Sequence, residues 1–230
     1  MRRLQIRSLS LPALAFLVFA GSVVVAQDKS PSLLNTLEVQ QLVKRAEPGD
    51  NARLAGHFTA LAERYVAEAK RHTSMSQGFV GNPSRNLGTG MSAHCKRLAD
   101  LNTQSATALR ELATYHQKLA AGAPATAPTT GARFEGGAGA PAPTDQELNA
   151  MAAKASTPAE HHGLEEYFLT SAKRYTAAEK EHVAMAAAYR GTRIAQAAVH
   201  CDRLIELSRD SAKEATEAAA MHKQLAGVTR

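Results

Sequence analysis

The chain has 230 residues, 5% aromatic residues, no tryptophan and a formal net charge of +6 at pH 7. Lysine and arginine form no dense cluster, and few aromatic rings are present to stack on bases, which argues against a nucleic-acid-binding protein. We expect a solvated surface of mixed charge.

The first 26 residues have the pattern of a secretory signal peptide. Three arginines precede an apolar run from Leu9 to Val25, and small residues stand before Gln27. The pattern predicts cleavage after Ala26. The run is short and interrupted compared with the roughly 20 apolar residues that a membrane span needs, and no later run is longer. We therefore expect a periplasmic or secreted chain that is not an integral membrane protein.

Glycine and proline concentrate in one stretch, residues 122–144. This composition opposes helix and offers no face that could pack, so it predicts a linker. The linker separates two segments, residues 36–121 and 145–230. Residues 27–35 are predicted to be a loose, disordered tail.

The two segments repeat each other. His94-Cys95 recurs 106 residues later as His200-Cys201, and the other matches include Arg64/Arg174, Tyr65/Tyr175, His72/His182, Met75/Met185 and His116/His222. Histidine and cysteine are rare in this chain, so their agreement in register indicates an internal duplication rather than a shared bias in composition.

Each copy has the pattern of a short helix followed by two long ones. Thr157-Pro158-Ala159-Glu160 fits a helix-capping box with proline at the first helical position. A 3.5-residue period, typical of a bundle helix, runs through the first long helix of each copy; its members are Leu54, Phe58, Leu61, Tyr65, Glu68, His72, Met75 and Phe79, then Leu164, Phe168, Ser171, Tyr175, Ala178, His182, Met185 and Tyr189. The prediction is an all-α fold in which two tandem antiparallel hairpins, with short leading helices, pack as one four-helix bundle.

Pairing residues equidistant from each hairpin turn predicts two candidate metal sites at the tips. Imidazole, thioether and thiolate together suit copper, and imidazole with thiolate suits zinc. The predicted ligands are His72, Met75, His94 and Cys95 in the first copy, and His182, Met185, His200 and Cys201 in the second. Weaker candidates at the open ends of the hairpins are His57, His116, His161 and His222.

Other interpretations of the same residues stay open. Histidine on an apolar stripe often serves as a core residue, and methionine commonly fills gaps. If both tips lie at one end, Cys95 and Cys201 approach each other, and a disulfide is the default in an oxidising compartment. Two free thiols are the alternative. A Cys/His nucleophile is disfavoured because adjacent helical residues point about 100° apart, so His94 would not serve Cys95. We expect no enzyme.

The second copy resembles an uncharacterised group of exported bacterial helical proteins. The resemblance covers mainly residues 148–226 and rests on the Thr-Pro-Ala-Glu-His start at 157–161, His182, Met185, His200-Cys201 and His222. It implies export and a helical fold, with no activity attached. The first copy departs from the pattern because Asn51 stands at the position of His161.

Two functions remain from the sequence. The first is a non-enzymatic structural or interaction protein of the bacterial envelope, which would associate with an envelope partner or with itself. The second is binding or buffering of copper or zinc at the hairpin tips.

Overall fold

A computed structural model describes residues 33–80, 90–121 and 144–228. Within these ranges the chain forms six α-helices and one short 3-10 helix, with no strands. The predicted all-α class is confirmed. The predicted signal peptide and the linker, apart from Thr144, lie outside the described residues.

The first leading helix, α1 (Thr36–Arg45), begins with a capping box in which the Asn35 side chain accepts from the Glu38 amide. The amide of Leu34 donates to Nδ1 of His57, 3.1 Å away. The prediction of a loose tail over 27–35 is therefore wrong for residues 33–35, because this segment caps α1 and hydrogen bonds to the next helix.

Two long helices follow, α2 (Pro48–Val80, 33 residues) and α3 (Gly90–Ala120, 31 residues). The second leading helix, α4 (Asp145–Lys154), is capped by Thr144. Helix α5 (Pro158–Arg190, 33 residues) starts with the predicted capping box of Thr157 and Glu160. The 3-10 turn Ala195–Ala197 leads into α6 (Ala198–Val228, 31 residues). No helix among the described residues is long and apolar enough to cross a membrane.

The long helices associate in sequence-adjacent pairs. Near its tip, α2 joins α3 through a hydrogen bond between the Ser76 and Ser92 side chains at 3.0 Å. Towards the other end, Arg110 reaches Glu63 at 3.0 Å. These contacts run in opposite directions along the two helices, so α2 and α3 are antiparallel. Helices α5 and α6 pair in the same way, since Arg190 contacts Asp202 and Arg209 contacts Glu179.

The two pairs meet along α3 and α6. Three contacts fix the register, and they join residues that ascend along α3 to residues that descend along α6: His94 with Glu214, Gln104 with Arg203, and Glu111 with His200. Helices α3 and α6 are therefore antiparallel. The tip of each pair consequently lies beside the open end of the other.

The leading helices cross over between the pairs. Helix α1 contacts α5 as well as α2, and α4 contacts α2 more extensively than α5. The close approach of α4 requires a small residue on α2, since a Cβ at Gly78 would lie 3.3 Å from the Cβ of Ala152. Each leading helix thus bridges α2 and α5, whose own backbones stay further apart.

Two apolar clusters form the core. One contains Phe58, Leu109, Tyr189 and Cys201, and the other contains Phe79, Leu98, Phe168 and Cys95. The predicted 3.5-residue series matches the burial pattern. All sixteen of its members are buried or half-buried, including Glu68 in the middle of α2.

Candidate functional site

His94 and Cys95 face different surroundings. Cys95 is fully buried in the same apolar cluster as Met75. His94 projects towards α6, where its Nδ1 lies 2.5 Å from a carboxylate oxygen of Glu214. The separation follows from the helix itself, because consecutive side chains are rotated by about 100°.

The second copy repeats this division. Cys201 and Met185 lie in the other apolar cluster. His200 projects towards α3, with its Nδ1 3.4 Å from Glu111. Each histidine of the two His-Cys dipeptides therefore contacts a glutamate of the other hairpin, while each cysteine packs in the core.

His72 and His182 are deeply buried, with 0% and 1% of their surface exposed. The His72 ring stacks on Phe168 with centroids 6.3 Å apart. Burial lowers the pKa of both histidines to about 4. Nδ1 of His72 and both ring nitrogens of His182 make no hydrogen bond within the described residues. These two rings are therefore neutral core groups at neutral pH.

The structure does not assemble the predicted tip ligand sets. Among the described residues, only His94, Glu214 and Glu217 form a group of three His, Cys, Asp or Glu side chains whose ligand atoms all lie within 4.8 Å of one another. Neither predicted set comes together as a metal site, because the two histidines of each set point to different places. The sets are His72/Met75/His94/Cys95 and His182/Met185/His200/Cys201. One histidine of each set lies in the core and the other lies at the contact between α3 and α6.

The predicted disulfide is wrong. Cys95 and Cys201 are both free and buried. The antiparallel arrangement of the hairpins places the two thiols in separate clusters, near opposite tips. Burial raises the pKa of Cys201 to about 12 and raises that of Cys95 still further. Both sulfurs are therefore protonated thiols, which are poor nucleophiles and poor metal ligands.

The open end of the second copy brings two predicted residues together. Nδ1 of His161 lies 3.3 Å from Nδ1 of His222. The His222 ring stacks on Phe168 with ring centroids 5.6 Å apart, and its centroid lies 5.7 Å from that of Phe79. Burial, followed by the neighbouring His161, lowers the pKa of His222 to about 3. The pair sits in an aromatic enclosure that favours uncharged rings.

The open end of the first copy is built differently. His116 Nδ1 lies 2.8 Å from Oδ1 of Asn51, and His116 Nε2 lies 2.7 Å from the Tyr189 hydroxyl. The Asn51 amide group donates to the carbonyl oxygens of Ala46 and Glu47. Its Oδ1 must therefore accept, so His116 carries its proton on Nδ1 and accepts from Tyr189 at Nε2. His57, the other weaker candidate of the first copy, instead accepts a hydrogen bond from the Leu34 amide.

Sequence reasoning missed the polar groups that join the two hairpins. Glu68 is 9% exposed, and its carboxylate pairs with Arg71 and Arg174, each at 2.6 Å. Arg71 also reaches Asp145 at the start of α4. This ion-pair network links α2, α4 and α5. A signal for it existed, because Glu68 interrupts an otherwise mainly apolar 3.5-residue series.

Comparison with known proteins adds no assignment. No protein-family model, no curated protein and no solved structure matches this chain.

Proposed function

We propose that this chain is an exported, non-enzymatic protein of the bacterial envelope with a structural or interaction role, towards an envelope partner or a second copy of itself. We further propose that its four long helices form one four-helix bundle that arose by duplication of a single unit. Equal lengths support the duplication, since α2 and α5 have 33 residues each and α3 and α6 have 31 each.

The burial of one repeated histidine pair and of both cysteines carries this proposal. His72, His182, Cys95 and Cys201 are at most 1% exposed. Neutral imidazoles and protonated thiols without access to solvent do not perform nucleophilic or acid-base chemistry on an external substrate. We infer that their retention in both copies reflects packing, because each of the four side chains is buried in its own half of the chain.

The proposed export rests on the arginines, apolar run and small residues of positions 1–26. Expression of the full chain in a Gram-negative host followed by fractionation tests it. We expect a periplasmic or secreted protein whose N-terminal residue is Gln27. A chain that keeps residues 1–26 and stays with the cytoplasm or the membrane would contradict export.

A double substitution tests the packing role. His72→Ala with His182→Ala is expected to lower the free energy of unfolding by several kcal/mol, because two buried rings leave cavities, and to leave the metal content of the purified protein unchanged. The matched control is His162→Ala, whose side chain is 62% exposed. Loss of bound metal without loss of stability would reject the structural role.

One specific arrangement favours a second function, binding of a divalent cation. His94 on α3 and Glu214 and Glu217 on α6 offer one nitrogen and two carboxylate ligands within 4.8 Å. Zinc accepts this combination, with positions left for water. Arg97 competes for Glu214 at 3.4 Å, so binding is expected to be weaker than at a dedicated structural site.

Titration calorimetry with zinc tests the second function. We expect one zinc per chain, with binding abolished by His94→Ala and weakened at least about tenfold (about 1.4 kcal/mol) by Glu217→Gln. His200→Ala is the matched control, because His200 faces Glu111 without a second nearby carboxylate of this kind. Equal loss in His200→Ala and His94→Ala, or no uptake by the parent chain, removes this function.

A further inference from the structure

The two Arg-Tyr dipeptides of the repeat meet at one cleft. The cleft lies between α2 and α5, has a volume of about 240 Å³, and its lining includes Arg64, Tyr65, Glu68, Asn102, Arg174 and Tyr175. Helices α1 and α4 bridge α2 and α5, which keeps the two backbones apart. The volume is below the range typical of drug-sized ligands, so the cleft fits a small metabolite.

The cleft offers one uncompensated positive charge. Arg174 is already engaged, because its guanidinium donates to Glu68 at 2.6 Å. Glu68 is in turn shared with Arg71. Arg64 makes no ion pair or hydrogen bond within the described residues, and it also lines the neighbouring cleft beside α1. One guanidinium is therefore available to an anionic group, and a second is held in place by an internal partner.

The floor of the cleft offers an unused acceptor. Asn102 is 0% exposed, and its amide group donates to the Leu98 carbonyl and to the Tyr175 hydroxyl at 2.7 and 2.8 Å. Its Oδ1 has no hydrogen-bond partner within the described residues. A buried carbonyl oxygen without a donor is unfavourable. This atom therefore calls for a donor supplied from the cleft.

The Tyr175 hydroxyl completes the arrangement. It accepts from Asn102, so its own proton points elsewhere. Its other hydrogen-bond contact is with Nε2 of His72 at 3.5 Å, which is long for an O–H donor. The phenol can therefore donate to a ligand oxygen while Asn102 accepts from a ligand donor.

We propose that this cleft binds a small organic carboxylate that also carries a hydroxyl or amino group. The carboxylate pairs with Arg64 and accepts from Tyr175, and the hydroxyl or amino group donates to Oδ1 of Asn102. A dicarboxylate fits less well, because Arg174 is already neutralised by Glu68. This cleft is independent of the proposed structural role. It is also separate from the candidate zinc ligands His94, Glu214 and Glu217 at the contact of α3 and α6.

The larger surface grooves do not offer the same chemistry. The groove between α2 and α3 has a volume of about 540 Å³, and Lys70, Thr73 and Arg110 line it. Another of about 610 Å³ lies beside Tyr115 and His200. Neither lining includes a fully buried polar atom that lacks a partner among the described residues.

Binding measurements on the full chain test the proposal. The probes are L-lactate and L-serine, which carry a carboxylate and a donor, and propionate, which lacks the donor. Titration calorimetry is expected to detect lactate or serine at millimolar affinity or better, with propionate at least tenfold weaker. Inorganic phosphate is not expected to compete with lactate or serine for the cleft. Tighter binding of phosphate or of propionate would overturn the proposed ligand class.

Two arginine variants locate the site. Arg64→Gln changes an exposed residue without an internal partner, so it is expected to fold normally and to weaken lactate or serine binding at least tenfold. The matched control is Arg110→Gln, an exposed arginine outside the cleft, which is expected to bind as the parent chain does. No binding of any probe at 10 mM-scale concentrations, or equal binding by Arg64→Gln and the parent chain, overturns the proposal.

Discussion

Cys95 and Cys201 lie in two separate apolar clusters, although both follow a histidine in the same repeated dipeptide. Their separation follows from the antiparallel packing of α3 against α6, which sends the two hairpin tips in opposite directions. The cysteines therefore act as small apolar residues of the core rather than as a covalent link between the hairpins.

Thiol labelling of the native protein checks this arrangement. Because both thiols are fully buried and burial raises the pKa of each, we expect almost no reaction with a thiol reagent under native conditions. Unfolding in urea without reductant is expected to release two reactive thiols per chain. Cys201→Ser, as a control, should release one. A native mass about 2 Da below that of the reduced chain, which corresponds to the two hydrogens lost on forming a disulfide, would contradict the free thiols.

Acid pH is expected to unfold the protein well before its carboxylates are fully protonated. Burial lowers the pKa of His57, His72, His116 and His182 to about 4, and that of His222 to about 3, from an ordinary value of 6.5. Between about pH 6.5 and 4 the unfolded chain therefore binds more protons than the folded chain. Stability is fully present above pH 6.5 and is lost as the pH falls through this window.

The size of this effect decides the outcome. Each such histidine contributes about 2 kcal/mol of destabilisation at pH 5, and five together approach the whole stability of an ordinary domain. Urea unfolding at pH 7.5 and pH 5 measures it. The exposed-site control His162→Gln should leave the difference intact. Equal unfolding free energies at the two pH values would show that these histidines are not held neutral.

The Tyr189 hydroxyl supports His116 across the two hairpins. Tyr189→Phe leaves Nε2 of His116 buried without its 2.7 Å donor, which is expected to cost about 1–3 kcal/mol of unfolding free energy. Tyr115→Phe is the matched control, since Tyr115 is half-buried and its hydroxyl makes no hydrogen bond within the described residues. The control is expected to change stability by less than about 0.5 kcal/mol. Similar losses in the two variants would contradict the proposed tautomer of His116.

Glu68 is expected to matter more than other glutamates of α2. Glu68→Gln removes the charge that Arg71 and Arg174 share. Because the Arg174 side chain is 53% exposed, water compensates part of the loss, and we expect about 1–2 kcal/mol. Glu63→Gln, which breaks only the exposed pair with Arg110, should lower the unfolding free energy by at most a few tenths of a kcal/mol. Thermal or urea unfolding of both variants measures these losses. Equal losses of unfolding free energy would show that the Glu68 network contributes no more than an exposed ion pair.

Gly78 is expected to be indispensable for docking α4. Gly78→Leu would drive a side chain into Ala152 and the α4 backbone, whereas a Cβ added at the exposed Gly56 meets nothing within 4 Å. Overpacking of this kind costs about 1–3 kcal/mol, while an exposed helical glycine replaced by leucine gains some helix propensity. Limited proteolysis near residue 145 should increase only in Gly78→Leu. Increased cleavage in neither variant would mean that α4 does not pack at Gly78.

Much of the fold was predictable from local patterns. The 3.5-residue series predicted the buried face of α2 and α5, and the capping box predicted the start of α5. Each of these depends on residues close in sequence or on one hairpin. Local spacing is enough to determine them.

The relative packing of the hairpins was not predictable, because the long linker allows either orientation. That choice decides where every residue at the contact of α3 and α6 points. His94 and His200 each face a glutamate of the other hairpin. Pairing residues within a single hairpin could not identify these partners. The same choice separated the cysteines and dispersed the predicted tip ligands.

Five of the buried histidines are neutral core residues, and nitrogen-15 NMR of their imidazole rings tests this central claim most directly. At pH 7, each ring of His57, His72, His116, His182 and His222 should show two distinct nitrogen signals of one neutral tautomer. Those signals should stay unchanged when equimolar zinc or copper is added. Protonated rings at pH 7, or metal-induced shifts at His72 and His182, would contradict the claim.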